Sequence, residues 1–258
     1  DDRFGGGGPN DFNQQAWDQM KKSTENMQQQ TWIRLYQGVF RANKLLEAMD
    51  QIIFETETSK NTLKGETYFM RAYFYFELTK MFGEVPLLTT SESVNIPRTA
   101  APEIFAQIAS DLKNAIELLP STSFPAQLKS NLGHATKWAA EGMLARVFLF
   151  YTGYYGQTSL PVAGGGELSD SNIVAYLEDC MNNSGHQLVS EFRNMWPYTN
   201  QLTGKDYAYN KGKNLSWVGD DNNIETVFAI KFGTKGDWSN KDYANMVALC
   251  WSLRGQSS

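Results

Sequence analysis

Hydrophobic positions recur at steps of three and four residues through most of the first two thirds of the chain. This spacing places them on one side of an α-helix. It predicts five helices, at about 30–53, 61–82, 102–119, 135–153 and 170–184. Residues 13–29 are predicted to be helical as well, but they are mostly polar.

The ends and surfaces of these helices are also readable from the sequence. The second is apolar on nearly all sides, which is typical of a buried helix, and it ends at Gly83. The third begins near Pro102 and ends before Pro120. The fourth carries small residues that let neighbouring helices approach closely, namely Ala135, Ala139, Ala140, Gly142 and Ala145.

Beyond residue 185 the helical period is lost and aromatic residues become frequent. Residues 226–232 have the composition of a short strand, and 240–252 are a further candidate helix. The first twelve residues, with four consecutive glycines, are predicted to be a loop. The period alone predicts a mostly all-α fold, either a bundle or a solenoid, with long irregular loops and a strand-like segment near the C-terminal end. The pairing of helices with short connections suggests a tetratricopeptide-like scaffold of helical pairs.

Composition excludes several classes of protein. The net charge of −5 argues against a nucleic-acid partner, which requires a basic surface. No run of 18 apolar residues is present, so no transmembrane helix is predicted. Cys180 and Cys250 form no CxxC motif and lie far apart, so neither a zinc site nor a redox motif is predicted.

Catalytic chemistry is not indicated either. The two histidines, His134 and His186, have no neighbouring nucleophile and no metal-ligand spacing, so each is expected to be structural or exposed. The acidic turn at Asp220–Asp221 lacks the alternating pattern of a calcium loop and is interpreted as solvated. We therefore expect no enzyme, no metal and no cofactor. Arg71 lies in the middle of the buried second helix, and it is expected to form a structural ion pair or to cap backbone carbonyls.

Six segments carry a family resemblance. GETYFMRAYFYFELTKMFGEVPLL at 65–88 resembles the signature of SusD/RagB outer-membrane lipoproteins, in which a helix with an Arg-Ala pair leads into an FG-x-VPL turn. Five further landmarks follow the family's order: TWIRLYQGVFRANKLLEAM (31–49), EIFAQIASDLKNAIELLP (103–120), GHATKWAAEGMLARVFLFYTG (133–153), SGHQL (184–188) and ETVFAIKF (225–232).

The chain is identified from these landmarks as a member of that family, with local departures. His134 stands where the family commonly has arginine, and Trp138 stands where a smaller residue is usual. Both are interpreted as local repacking. Residues 198–222 also look longer than the corresponding family segment.

The resemblance implies the rest of the functional picture. Family members are longer, so residues 1–258 are interpreted as the N-terminal portion of such a protein, with a helical core at about 13–185 and a loop-rich segment at about 186–258. Such proteins are lipid-anchored at the outer-membrane surface of Bacteroidetes, and the anchor is expected outside this chain. They form a lid on a SusC-like, TonB-dependent transporter and capture oligosaccharides. Their helical repeats mainly contact the barrel, and their loops bind glycan.

Two loops have the residues that a sugar site requires. A flat aromatic ring covers the C–H face of a sugar, and amide groups bond its hydroxyls. The candidate glycan-binding residues are Phe4, Asn13 and Trp17 near the N-terminus, and Trp196, Tyr198, Asn200, Tyr207, Tyr209 and Trp217 in the second loop.

Three interpretations remain open at this point. The chain captures a glycan; or it is a docking scaffold for the transporter, with the ligand site in a part of the protein beyond these residues; or it captures peptides, as some members of the family do. Anchoring of loops to the helical core is the competing explanation for each aromatic ring.

Overall fold

A computed structural model describes residues 28–92, 94–127, 133–195, 215–216, 218–219 and 223–230. Within these residues the chain is mostly α-helical, as predicted. Its helices are α1 (Gln29–Ala48), α2 (Glu57–Phe82), α3 (Ala101–Leu118), α4 (Lys137–Tyr155) and α5 (Asp170–Asn183). The chain divides into two compact units, Asp1–Arg34 with Ile230–Ser258, and Leu35–Ala229. Nearly all described residues belong to the second unit.

Side-chain caps fix where the helices begin. The Thr56 hydroxyl accepts a hydrogen bond from the Ser59 N–H at 3.1 Å, so α2 begins at Glu57, earlier than predicted. Thr136 caps α4 in the same way by accepting from the Ala139 N–H at 3.1 Å. At α5, Ser169 and Asn172 form a reciprocal capping box.

Glycine and a tighter turn fix where helices end. Gly83 follows α2 with φ of 70°, and Gly156 follows α4 in the left-handed region with φ of 65°. A 3₁₀ turn, Met49–Gln51, follows α1 and accounts for the longer first helix that the sequence predicted.

The helices stack in sequence order, because α2 packs on α3, α3 on α4, and α4 on α5. At the α2–α3 contact, a Cβ on Gly65 would lie 2.8 Å from Leu119 Cγ, so glycine is what allows this approach. The largest fully buried side chains of the core are Met49, Phe69, Tyr75, Phe76, Leu78, Ile104, Phe105, Ile108, Leu112, Trp138, Leu144 and Leu160.

A small hairpin, which the sequence pattern did not predict, lies between α4 and α5. Strands β1 (Leu160–Pro161) and β2 (Glu167–Leu168) pair antiparallel, with Leu160 opposite Leu168. Their turn contains Gly164–Gly166, which all have positive φ. The Ala163 N–H donates to the Ala106 carbonyl of α3 at 3.0 Å, which fixes the hairpin to the stack.

The strand-like interpretation of 226–232 was wrong for the residues that the structure describes. Residues 226–230 form no strand. Instead, the Phe228 ring packs edge-on against Phe69 of α2, with centroids 4.9 Å apart. The apolar residues of this segment therefore serve to attach it to the helical core. The candidate helices at 13–27 and 240–252 lie outside the described residues, and no described helix is long and apolar enough to cross a membrane.

Candidate functional site

The candidate glycan-binding residues all lie outside the described residues: Phe4, Asn13, Trp17, Trp196, Tyr198, Asn200, Tyr207, Tyr209 and Trp217. Their role as a binding site remains a prediction. The acidic turn at 220–221 and Cys250 also lie outside the described residues. The structure does describe residues at both ends of the segment 196–217, which carries six of these candidates.

Asn194 is bonded to two described residues at the far end of the aromatic segment 196–217. Its side-chain oxygen accepts a hydrogen bond from the Ser216 N–H at 2.8 Å, and its carbonyl accepts one from the Val218 N–H at 3.0 Å. The described residues on the two sides of 196–214 therefore lie close together.

The described residues that precede and follow this segment are bonded to each other and contact Phe124, which follows α3. His186 Nδ1 donates to the Ile224 carbonyl at 2.8 Å, and the Val189 N–H donates to the Glu225 carboxylate at 2.7 Å. His186 also lies against the Phe124 ring, with centroids 4.9 Å apart. His186 is therefore structural, as expected.

Arg71 forms the buried ion pair that the sequence predicted. Its Nε and Nη2 donate to the two carboxylate oxygens of Asp111 on α3, at 2.8 and 2.7 Å. Its Nη1 donates to the Asn43 side-chain oxygen of α1 at 2.9 Å. Gln107 supplies one more donor to Asp111, at 2.9 Å. The hydrogen bonds of Arg71 therefore connect α1, α2 and α3. The buried charge of Arg71 is tolerated because it is paired with Asp111 and all three of its nitrogens donate hydrogen bonds.

The same network holds the turn that follows α2. The Asn43 amide donates to the carbonyls of Leu88 and Thr90, at 2.9 and 2.8 Å. The Tyr75 hydroxyl donates to the Leu88 carbonyl and accepts from the Leu88 N–H. Tyr36 donates to the Pro86 carbonyl at 2.7 Å. The residues of the FG-x-VPL signature are thus held in place by the side chains of the helices, and the motif serves the fold.

An open groove of about 590 Å³ lies where the first turns of α2 meet the residues that follow α3 and those that precede α4. We call it the α2–α4 groove. Its lining residues are Thr58, Ser59, Thr62, Leu63, Glu66, Pro120, Thr122, Ala126, Gln127, His134, Ala135 and Thr136. This groove was missed by sequence reasoning, because it combines three separated segments and no single motif marks it.

A carboxylate–imidazole pair forms part of the groove. His134 Nδ1 lies 2.7 Å from Glu66 Oε1, and the His134 side chain is 61% exposed. Gly133, with φ of 98°, immediately precedes His134. With Nδ1 donating to the carboxylate, Nε2 is the nitrogen left to face solvent or a ligand. His134 is thus both exposed and paired, rather than only repacked.

Glu141 on α4 is a second unusual carboxylate, which the sequence analysis did not single out. It is fully buried, and its Oε1 lies 3.6 Å from Lys137 Nζ, while that lysine bonds Asp179 of α5 at 2.5 Å. Burial raises the pKa of Glu141 to about 7, and the nearby Asp179 carboxylate adds to the rise while Lys137 opposes it. Because the Lys137–Asp179 ion pair joins α4 to α5, we assign this cluster to the packing of α4 on α5. The described residues contain no group of three side chains suited to a metal ion.

Comparison with known proteins identifies the scaffold. The model of the SusD-like family described as starch-binding and associating with the outer membrane matches residues 8–149. A SusD-like protein of Bacteroides ovatus is 24% identical over 216 residues, which make up 80% of this chain and 33% of that relative. This chain therefore spans about a third of that relative's length.

Solved structures agree with this match. A SusD-like protein from Bacteroides fragilis superposes with a TM-score of 0.60 at 25% identity, over 84% of this chain and 36% of the other. A second structure, determined with a xylogluco-oligosaccharide, gives a TM-score of 0.61 at 23% identity, over 90% of this chain and 41% of the other. Because the family model covers more than half of the residues, this chain belongs to the SusD-like family.

Proposed function

We propose that this chain captures oligosaccharides at the outer-membrane surface and passes them to a SusC-like, TonB-dependent transporter, without catalysing a reaction. The main support for this proposal is that the chain belongs to a family described as starch-binding. The structural relative with a xylogluco-oligosaccharide supports glycan as the ligand class. In this proposal residues 1–258 are the N-terminal portion of a longer lipoprotein, with a helical core at about 13–185 and a loop-rich segment at about 186–258.

The proposed ligand-binding residues lie in two separate segments, and at least one of the segments is expected to contact ligand. The segment 196–217 carries Trp196, Tyr198, Asn200, Tyr207, Tyr209 and Trp217. Phe4, Asn13 and Trp17 are the N-terminal candidates. The hydrogen bonds of Asn194 to Ser216 and Val218 support a role for the first of these segments, because they fix the described residues beside it and so reduce the ordering cost of binding.

Separate alanine variants of Trp17, Trp196, Tyr198 and Trp217 test this site. We expect at least one of them to weaken glycan retardation in native affinity gels by about tenfold, since a stacked ring contributes ~1–3 kcal/mol in comparable ring-stacking sites. Tyr154→Ala is the matched control, because this tyrosine is 73% exposed on α4 and is not among the candidate residues. Full glycan affinity in all four variants would show that the site is assigned wrongly.

A docking role for the helical scaffold is a second candidate, favoured by the outer surface of α5. Val174, Leu177 and Met181 recur at helical spacing and are 51%, 37% and 76% exposed. An exposed apolar stripe of this kind is typical of a protein contact. A Val174→Glu/Met181→Glu variant is expected to lose co-purification with the transporter while keeping its glycan retardation. Unchanged co-purification would remove this candidate.

A further inference from the structure

We propose that the α2–α4 groove is a second carbohydrate site, which takes a neutral sugar ring and is separate from the aromatic loops. The groove's volume of about 590 Å³ lies within the ~300–1,000 Å³ typical of small-molecule sites. The proposal is argued from the groove's own side chains and extends the proposed function.

The polar groups of the groove match a hydroxylated ligand. Five of its lining residues carry hydroxyl groups, and each hydroxyl can both donate and accept hydrogen bonds. Gln127 adds an amide with both functions. The Glu66 carboxylate is a strong acceptor, and His134 Nε2 adds a further polar atom. Sugar hydroxyls need this mixture of donors and acceptors on neighbouring atoms.

The other ligand classes fit the lining less well. No lysine or arginine is among the described lining residues, and Glu66 would repel an anion such as a phosphate or uronate. One carboxylate and one imidazole already bonded to each other do not make a metal site. The apolar lining residues are Leu63, Pro120, Ala126 and Ala135. So few apolar side chains offer little surface to a helix or a lipid chain, but they suit the C–H face of one ring.

The wall that follows α3 is rigidly held, which favours a preformed site. Trp138 is 1% exposed, and its Nε1 donates to the Thr122 carbonyl at 2.9 Å. The Phe124 N–H donates to the Ser184 carbonyl at 2.7 Å. A Cβ on Gly185 would lie 2.7 Å from Pro125 Cδ, so the chain after α5 closes tightly on this wall. Binding to such a wall loses little conformational entropy.

The two histidines allow a direct test. The chain has only two, one in the groove and one held by Ile224 outside it, so each gives its own imidazole carbon–proton signal in NMR spectra. The whole chain is titrated with a xyloglucan-derived heptasaccharide, and His134→Gln assigns the signals. We expect the His134 signal to move saturably and the His186 signal to remain still. Triglycine serves as the peptide probe and is expected to move neither.

A blocked variant supplies the second measurement. Thr62→Phe fills the groove from α2, and we expect it to weaken the His134 response by about tenfold. Met81→Phe is the control on the same helix, because Met81 is 45% exposed and outside the groove lining. Far-UV circular dichroism verifies that both variants are folded.

The outcomes separate this site from the aromatic loops. A His134 response that survives a Trp196→Ala/Trp217→Ala double variant supports an independent groove site. The groove proposal is overturned if the His134 signal does not shift at a saturating concentration of heptasaccharide. It is also overturned if the signal shifts only with triglycine. If polysaccharide retardation nevertheless persists, the proposed function stands without it. A response that disappears in the double variant also overturns it, since the groove would then not be a separate site.

Discussion

At the scale of single residues, Arg71 shows how a family signature serves the fold. The sequence placed this charge on a buried helix and predicted a structural partner, but it did not identify the partner. The structure gives Asp111 on α3 as the ion pair, with Asn43 of α1 as the third member. The partner could not be identified from the sequence, because Arg71 and Asp111 are far apart along the chain and meet only through the packing of their helices.

Replacing Arg71 with methionine is expected to destabilise the chain by about 3–5 kcal/mol, because the Asp111 carboxylate would remain buried without its partner. Urea denaturation followed by far-UV circular dichroism measures the change. Lys80→Met is the control: its ion pair with Glu77 is exposed, and its loss should cost less than about 1 kcal/mol. Similar losses in the two variants would contradict the structural role of Arg71.

Glu141 predicts a pH dependence of stability. Its pKa is raised from 4.5 to about 7, chiefly by burial, so the folded chain holds this proton more tightly than the unfolded chain does. The stabilising contribution is complete below the unfolded pKa and is lost as pH rises through the folded one. The contribution of Glu141 to the free energy of unfolding therefore decreases as the pH rises from about 4.5 to about 7.

The variant Glu141→Gln removes this titration while keeping the shape of the side chain. We expect it to be more stable than the parent by about 1–3 kcal/mol at about pH 8, where the parent carries a buried charge, and to differ little at about pH 5. Urea denaturation at both pH values measures this difference. Glu178→Gln, an exposed change on α5, is the control. A parent and variant with parallel pH profiles would show that Glu141 does not titrate in this window.

At the scale of elements, two helical glycines should respond oppositely to alanine. Gly65→Ala should destabilise by about 1–3 kcal/mol, because the added Cβ would meet Leu119 Cγ at 2.8 Å. Gly142→Ala should stabilise by about 0.5–1 kcal/mol, because nothing lies within 4 Å of its Cβ and alanine is the better helix former. Thermal unfolding of the two variants compares them, and a shift of the same sign in both would contradict the packing of α2 on α3.

Helices were predictable from sequence because their signals are local. Apolar spacing located α1 to α5 within a few residues. The start of α2 was placed too late because its first turn is polar, and the signal that would have corrected it is the cap at Thr56. The predicted start of α5 agrees with the structure, in which Ser169 and Asn172 form a capping box directly before the helix. The prediction of a strand failed at 226–230, where the structure shows no strand and the Phe228 ring packs on Phe69 of α2.

The α2–α4 groove could not be predicted in the same way. Its walls come from residues 58–66, 120–127 and 134–136, which adjoin only after α2, α3 and α4 have packed. One sequence signal did point to it. His134 departs from the family pattern, and the structure pairs it with Glu66 inside the groove.

At the scale of the whole molecule, the helical core should fold on its own. The stack from α2 to α5 has a continuous buried interior, and the ion pair of Arg71 and Asp111 closes between described helices. We expect a helical far-UV spectrum for residues 1–258. A spectrum lacking helix would contradict this expectation.

Sugar capture by this chain is the central claim, and native affinity electrophoresis tests it most directly. The chain and a full-length form of the protein would be run side by side in gels containing starch, xyloglucan or laminarin. We predict that at least one polysaccharide retards both, which would place a glycan site within residues 1–258. Retardation of the full-length form alone would contradict that claim and leave these residues as the docking scaffold.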